Sequence, residues 1–270
     1  MNHGLRLVLV FLFYSVTAQL FGQAAGSSAL PDRIRIEPVR ELRNGLNLWP
    51  LIANPRTDAE RRINETLSAM NLRLRGSVRK CDADYQLWDR VVNEGQKHAS
   101  SPHGDWERKV EVTMAGPRYL SLVVEDGIIF CGSPYPNHDD SAFVFDLESG
   151  KLVDPIIWLT STEGASTNKE ANWEGSSTNL LILPALQEMS LARATDECKD
   201  VFGKAQAYFV WLDARKNRLI AFPSIQPHVV QGCAERLELT ADQTHALGFK
   251  DDLLQAIEAG HRRLNSRKSR

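Results

Sequence analysis

Between Thr57 and Leu74 apolar residues recur every three or four positions: Ala59, Ile63, Leu67, Met70 and Leu74. That spacing lays them on one face of a helix. Thr57 and Glu60 stand at the spacing of a capping box at its start, in which each side chain satisfies the other's orphan backbone N–H. The stretch "RIRIEPVREL" from Arg33 alternates and predicts a strand ahead of the helix. "ADYQLWDRVV" predicts a short second helix, and "HASSPHGD" a polar loop after it.

The period then changes to two. In "WERKVEVTMAGPRYLSLVVEDGIIFCG", Val110, Val112 and Met114 fall on one side and Lys109, Glu111 and Thr113 on the other, the alternation of a half-buried strand. "AGPR" supplies a turn and "YLSLVVE" a second strand. Asp126-Gly127 suits a tight hairpin turn, where both central residues need positive φ. "IIFCG" would then be a third strand, and "AFVFDL" and "KLVDPIIWL" bracket "ESGK", a further hairpin turn. The pattern predicts an antiparallel meander of about five strands.

Residues 160–178 are rich in Gly, Ser and Thr and predict an exposed, mobile loop. Helical character follows, with Pro184 placed to begin a helix or break one. "QAYFVWLDARKNRLIAFPS" predicts a hairpin turning at residues 215–217. Two closing helices are predicted, one capped by Thr240 and Gln243, the other carrying Leu253, Leu254, Ile257 and Leu264 on one stripe. The fold class is therefore α+β, with antiparallel meander sheets flanked by helices. Residues 25–270 form one domain, with subdomains 30–158 and 179–265 joined by the polar loop as the alternative division.

The N-terminus bears on compartment. "LVLVFLFYSV", Leu7 to Val16, has the length of a signal-peptide core and is short of the about 20 residues a membrane helix needs. Small residues follow it, so residues 1–24 read as a cleaved secretory signal, with no membrane span after cleavage and a periplasmic or secreted destination. A formal net charge of −2 argues against a nucleic-acid partner. The four cysteines, Cys81, Cys131, Cys198 and Cys233, form no C-x-x-C pair, and in an oxidising compartment they predict two disulfides. Of the three connectivities, Cys81–Cys131 with Cys198–Cys233 closes one loop in each half of the chain.

Candidate chemistry centres on "CGSPYPNHDD". His138, Asp139 and Asp140 are residue types that bind Zn²⁺ or Ca²⁺. Adjacent residues in extended chain diverge, however, and Asn and Asp also favour turns. The segment is accordingly expected to be a turn first, the rim of a binding surface second and a metal site third, with no cofactor or metal assigned. Tyr135, Asn137, His138, Asp139, Asp140 and, in the polar loop, Trp173 are the candidate binding residues. His228 has the position of a general base but lacks a nucleophile of the G-x-S-x-G kind.

Several short motifs resemble, in order, the RsiV-type C-terminal domain, an envelope domain also found beside the catalytic domain of the polysaccharide deacetylase PdaC. They are Ile63-Asn64, Tyr119 to Leu122, the loop Gly132 to Asn137, and Phe145-Asp146-Leu147 with Gly150-Lys151. The family loop reads "GGAHPN"; its histidine position is Tyr135 here. The resemblance implies a domain without catalytic residues. In RsiV that domain binds lysozyme, but this chain shows neither the transmembrane helix nor the cytoplasmic sigma-binding segment of that receptor. The expected function is thus non-enzymatic binding of an envelope protein, lysozyme-like, or of peptidoglycan. A metal-dependent hydrolase using His138, Asp139, Asp140 and His228 is one alternative, and an inert structural envelope protein is another.

Overall fold

The computed structural model describes residues 34–40, 46–92, 105–129, 137–172, 174–202, 206–224 and 232–268. The signal segment, Cys131, Tyr135, Trp173 and His228 lie outside these described residues.

The predicted first strand is β1 (Arg35–Arg40). It pairs antiparallel with β2 (Asn47–Ala53), which the pattern did not announce. Helix α1 (Asp58–Val92) opens on the expected box: the Glu60 N–H donates to Thr57 Oγ1 at 3.1 Å, and the Thr57 N–H donates to the Glu60 carboxylate at 3.3 Å. Ala59, Ile63, Leu67, Met70 and Leu74 are all buried. "ADYQLWDRVV" is the end of the same 35-residue helix rather than a second one. The junction holds no Pro, and the single Gly76 costs only about 1 kcal/mol in a helix interior. Asn64, within a glycosylation-like triplet, instead clamps β2: its amide accepts from Ile52 N–H and donates to Ile52 O, both at 2.8 Å.

Strands β3 (Asp105–Ala115), β4 (Tyr119–Ile129) and β5 (Asn137–Asp146) form an antiparallel sheet in that order. The turn at "AGPR" is as expected. Asp126-Gly127 is not a turn: β4 runs straight through it, Asp126 pairing with Arg108 and Asp139, Gly127 with Glu107 and His138. "NHDD" is likewise no turn but the first residues of β5. A bulge between Val112 and Met114 moves Met114 to the opposite face from Val110 and Val112. The meander has three strands rather than five. After the "ESGK" turn the chain makes a single bridge, Phe145 to Leu152, and "PIIW" is a 3₁₀ turn, Pro155–Trp158, capped by Asp154.

The "ESGK" turn has a steric logic. The Asp146 carboxylate accepts from the N–H groups of Glu148 and Ser149, both at 2.8 Å, and from Arg118. Gly150 sits at φ +72°, and a Cβ there would lie 2.5 Å from the Ala59 carbonyl of α1. The turn is therefore pressed onto the helix start, and only glycine fits.

A second, five-stranded antiparallel sheet contains β6 (Ser166–Ala171), β7 (Ser177–Ile182), β8 (Ala207–Asp213), β9 (Arg218–Pro223) and β10 (Leu237–Leu239), in the order β10-β9-β8-β7-β6. The region expected as a mobile loop thus supplies β6 and the start of β7. It reads as loop because β6 is an edge strand, and edges are polar by selection against open pairing. Helices α2 (Pro184–Arg193) and α3 (Asp196–Lys199) join the sheet's halves, and Pro184 does begin a helix. At the C-terminus α4 (Ala241–Ala246) carries the Thr240–Gln243 capping box, and α5 (Asp251–Lys268) buries Leu253, Ile257 and Leu264, with Leu254 half-buried.

The three-stranded sheet is the middle layer. On one face Leu120, Leu122, Val124, Phe143 and Phe145 pack against α1 and Trp49 of β2. On the other, Tyr119, Val123, Ala142 and Val144 meet β8 of the larger sheet. The disulfide seen among the described residues is Cys198–Cys233, with a Cα–Cα distance of 5.4 Å. Cys81 is buried and is not a free thiol; its expected partner Cys131 lies outside the described residues. No helix among the described residues is long and apolar enough to cross a membrane.

Candidate functional site

The face of the middle sheet that meets β8 is filled with apolar side chains only part of the way. Strand alternation continues the Tyr119–Ser121–Val123 row into Glu125 and Gly127 on β4, the row of Val144 and Ala142 back to Asp140 and His138 on β5, and sets Lys109 and Glu107 beside them on β3. There the packing gives way to a cleft of about 710 Å³. Its other side is formed by Phe209 of β8, Phe222, Pro223 and Ser224 at the end of β9, Glu170 of β6, and Arg236 just before β10. Polar residues stand where the strand pattern elsewhere places core residues.

Glu125 is the charge centre. It accepts from Lys109 at 3.2 Å and from Arg236. Burial alone would raise its pKa, but these two cations outweigh it and hold the carboxyl below its ordinary value. Arg236 also lies 5.7 Å from the Trp211 ring and 5.8 Å from the Phe222 ring, a cation over two aromatic faces. Among the described residues Asp140 has no such neutralising contact. Burial, reinforced by the negative charges of Glu125 and Asp126 and opposed by Arg236 and His138, pushes its pKa up to about 6. The His138 ring lies over Gly127, within 3.6 Å of where a Cβ would be.

Behind the cleft, on the opposite face of the same strands, lies a buried ionic network. Arg108 donates to Asp126 at 2.7 Å and to Glu174 at 2.7 Å, and all three side chains are at most 1% exposed. Trp106 donates to Asp126 at 2.8 Å, Trp49 donates to Glu174 at 2.7 Å, and the Arg108 guanidinium lies 4.9 Å from the Trp49 ring centre. Burial raises the Asp126 pKa, and Arg108 and Trp106 work against it. Glu174 comes from the hairpin tip between β6 and β7. Ser176 of the same tip accepts a hydrogen bond from Arg73 of α1. The tip thus ties the larger sheet to the helix layer.

The expected candidates divide accordingly. His138 and Asp140 share the cleft side of β5. Asp139 alternates to the other face, opposite Asp126, so the three do not converge on one ion. Among the described residues no group of three or more His, Cys, Asp and Glu could hold a metal. Asn137 begins β5 opposite Ile128; Tyr135, Trp173 and His228 are outside the described residues. Sequence reasoning missed Glu125, Arg236, Phe209 and Phe222, which only tertiary packing brings together. Arg108 could have been found. Counting back by twos from Val112 and Val110 puts Arg108 and Trp106 on the inward face, where an arginine demands a buried acid.

No protein-family model matches the chain, and no curated protein matches it. Among solved structures, a DUF3298 family member from Bacteroides fragilis is similar in fold, with a TM-score of 0.52 and 8% identity, over 84% of this chain and 95% of that one. A DUF3298 family protein from Pseudomonas aeruginosa aligns over 82% of this chain and 92% of that one, with a TM-score of 0.42 and 10% identity.

Proposed function

We propose that the chain is a non-enzymatic protein of the cell envelope, and that it binds its ligand in the cleft between the two sheets. The observation that carries this is the cleft itself. It is a concave, preformed site of small-ligand size. It joins an aromatic wall to carboxylates that strand packing would ordinarily exclude. The Cys198–Cys233 disulfide fits an oxidising, extracytoplasmic compartment. The RsiV-type motifs support the same reading, since Tyr119 to Leu122 and Phe145 to Lys151 form the middle sheet and the turn that seats it on α1. The fold likeness to a DUF3298 protein adds the architecture and nothing about ligand.

The partner on this reading is peptidoglycan or a lysozyme-like envelope protein. The test is co-sedimentation of the purified chain with isolated sacculi, beside capture on immobilised lysozyme. Retention by one of them, reduced when Asp140 and Arg236 are substituted, is the expected result. Retention by neither refutes the proposal.

The metal-dependent hydrolase keeps one supporting observation. His138 and Asp140 stand on the same side of β5 with a carboxyl poised near neutrality. Stoichiometric zinc by elemental analysis, lost on His138→Ala, would favour it over binding alone.

A further inference from the structure

The cleft has negative charge to spare. Its rim cations, Lys109 and Arg236, are both taken up by Glu125. Glu170 accepts a 2.6 Å hydrogen bond from Ser224. The Asp140 carboxylate makes no hydrogen bond or ion pair among the described residues and interacts with Arg236 and His138 only through space. Across the cavity stand the rings of Phe209 and Phe222.

A half-buried, unpaired carboxylate is costly, and the cost is relieved by a cation that both pairs with it and lies against aromatic faces. A metal ion would need several converging ligands, which the described residues of this wall do not supply. An organic ammonium needs one carboxylate and apolar surroundings. Among the described cleft residues an anion would find Lys109 and Arg236 already engaged by Glu125.

We propose that this cleft holds the protonated amine of a small ligand, with Asp140 as the carboxylate that receives it. The proposal rests on the binding function above and names its ligand class. Three groups on three elements face Asp140, namely Glu125 from β4, His138 from β5 and Arg236 from the segment before β10, while the Asp126 charge acts on it through the sheet from the opposite face. Protonation of Asp140 near pH 6 removes the charge the ligand needs, whereas a simple alkylamine stays protonated there. Binding therefore weakens as pH falls.

Isothermal titration calorimetry of the full chain tests this, with cadaverine and glucosamine as probes and their N-acetylated counterparts as controls. The amines are expected to bind and the acetylated compounds not. Affinity should fall about tenfold from neutral pH to about pH 5, following the ionised fraction of Asp140. Asp140→Asn should lose about tenfold or more at neutral pH and flatten the pH dependence. That variant keeps side-chain volume and removes a strained charge, so its fold should hold; circular dichroism checks it. Absence of amine binding, equal binding of the acetylated controls, or full affinity in Asp140→Asn overturns the proposal. Retention on sacculi or lysozyme without amine binding overturns the amine site and leaves envelope binding standing; loss of both overturns both.

Discussion

Asp140→Asn also tests whether the cleft holds its own carboxylate at a cost to the fold. Burial lifts the Asp140 pKa from an ordinary 3.8 to about 6. The folded protein therefore holds this proton more tightly than the unfolded chain does. Below pH 3.8 both states are protonated and the residue is neutral to stability. Between 3.8 and about 6 the unfolded chain ionises first, so stability falls as pH rises. Above that window the whole penalty stands. A shift of about two pH units at about 1.4 kcal/mol each is on the order of 3 kcal/mol, with the attractions of Arg236 and His138 already included. Asn preserves the shape of the protonated acid and cannot ionise. At neutral pH the variant is expected to be more stable than the parent by about 2–3 kcal/mol. Urea unfolding followed by tryptophan fluorescence, with the disulfide intact, measures this across a pH series. The two curves should converge as pH drops toward about 4. A variant no more stable at neutral pH, or a gain that persists undiminished in acid, would refute the electrostatic account of Asp140.

Glu174→Ala strands the Arg108 guanidinium and the Trp49 N–H in a dry interior, and should cost about 3–5 kcal/mol in the same urea assay; a loss below about 1 kcal/mol would mean water enters the network. Gly150→Ala forces a Cβ against the Ala59 carbonyl at a positive φ, with an expected loss of about 2–3 kcal/mol by thermal unfolding. The paired Cys198→Ser and Cys233→Ser variant opens a loop with a sequence separation of 35 and should lose on the order of 3–4 kcal/mol. If the bond is intact in the parent, reductant will lower parent stability far more than that of the variant.

The elements legible in the sequence are those whose local signals agree. The Thr57–Glu60 box and the Ala59-to-Leu74 stripe announce α1 because cap and period point to one helix. The hairpin of β8 and β9 announces itself because two apolar runs flank a charged turn. Misreadings arise where tertiary contacts overrule composition. Asp126-Gly127 has turn chemistry, yet Arg108 and Trp106 satisfy the carboxylate in mid-strand. Asn137 to Asp140 have turn chemistry too. Their ladder with β4 keeps them extended, and their polarity belongs to the cleft instead. The cleft was half legible. His138 and Asp140 were named as candidates, but Glu125 and Arg236 lie 111 residues apart and meet only when the two sheets pack.

The hairpin tip bearing Glu174 has a kinetic consequence. Its carboxylate joins Trp49 across 125 residues and Arg108 across 66. Loops of that span close only after shorter-range structure exists, so these bonds form late on the way to the native state. Interactions made after the folding barrier act on the rate of escape and leave the rate of arrival nearly unchanged. The tip is therefore a latch on lifetime: Glu174→Ala should speed unfolding nearly in full proportion to its stability loss and leave refolding close to that of the parent. Where unfolded chains are lost to proteolysis, that lifetime is the property the buried network protects.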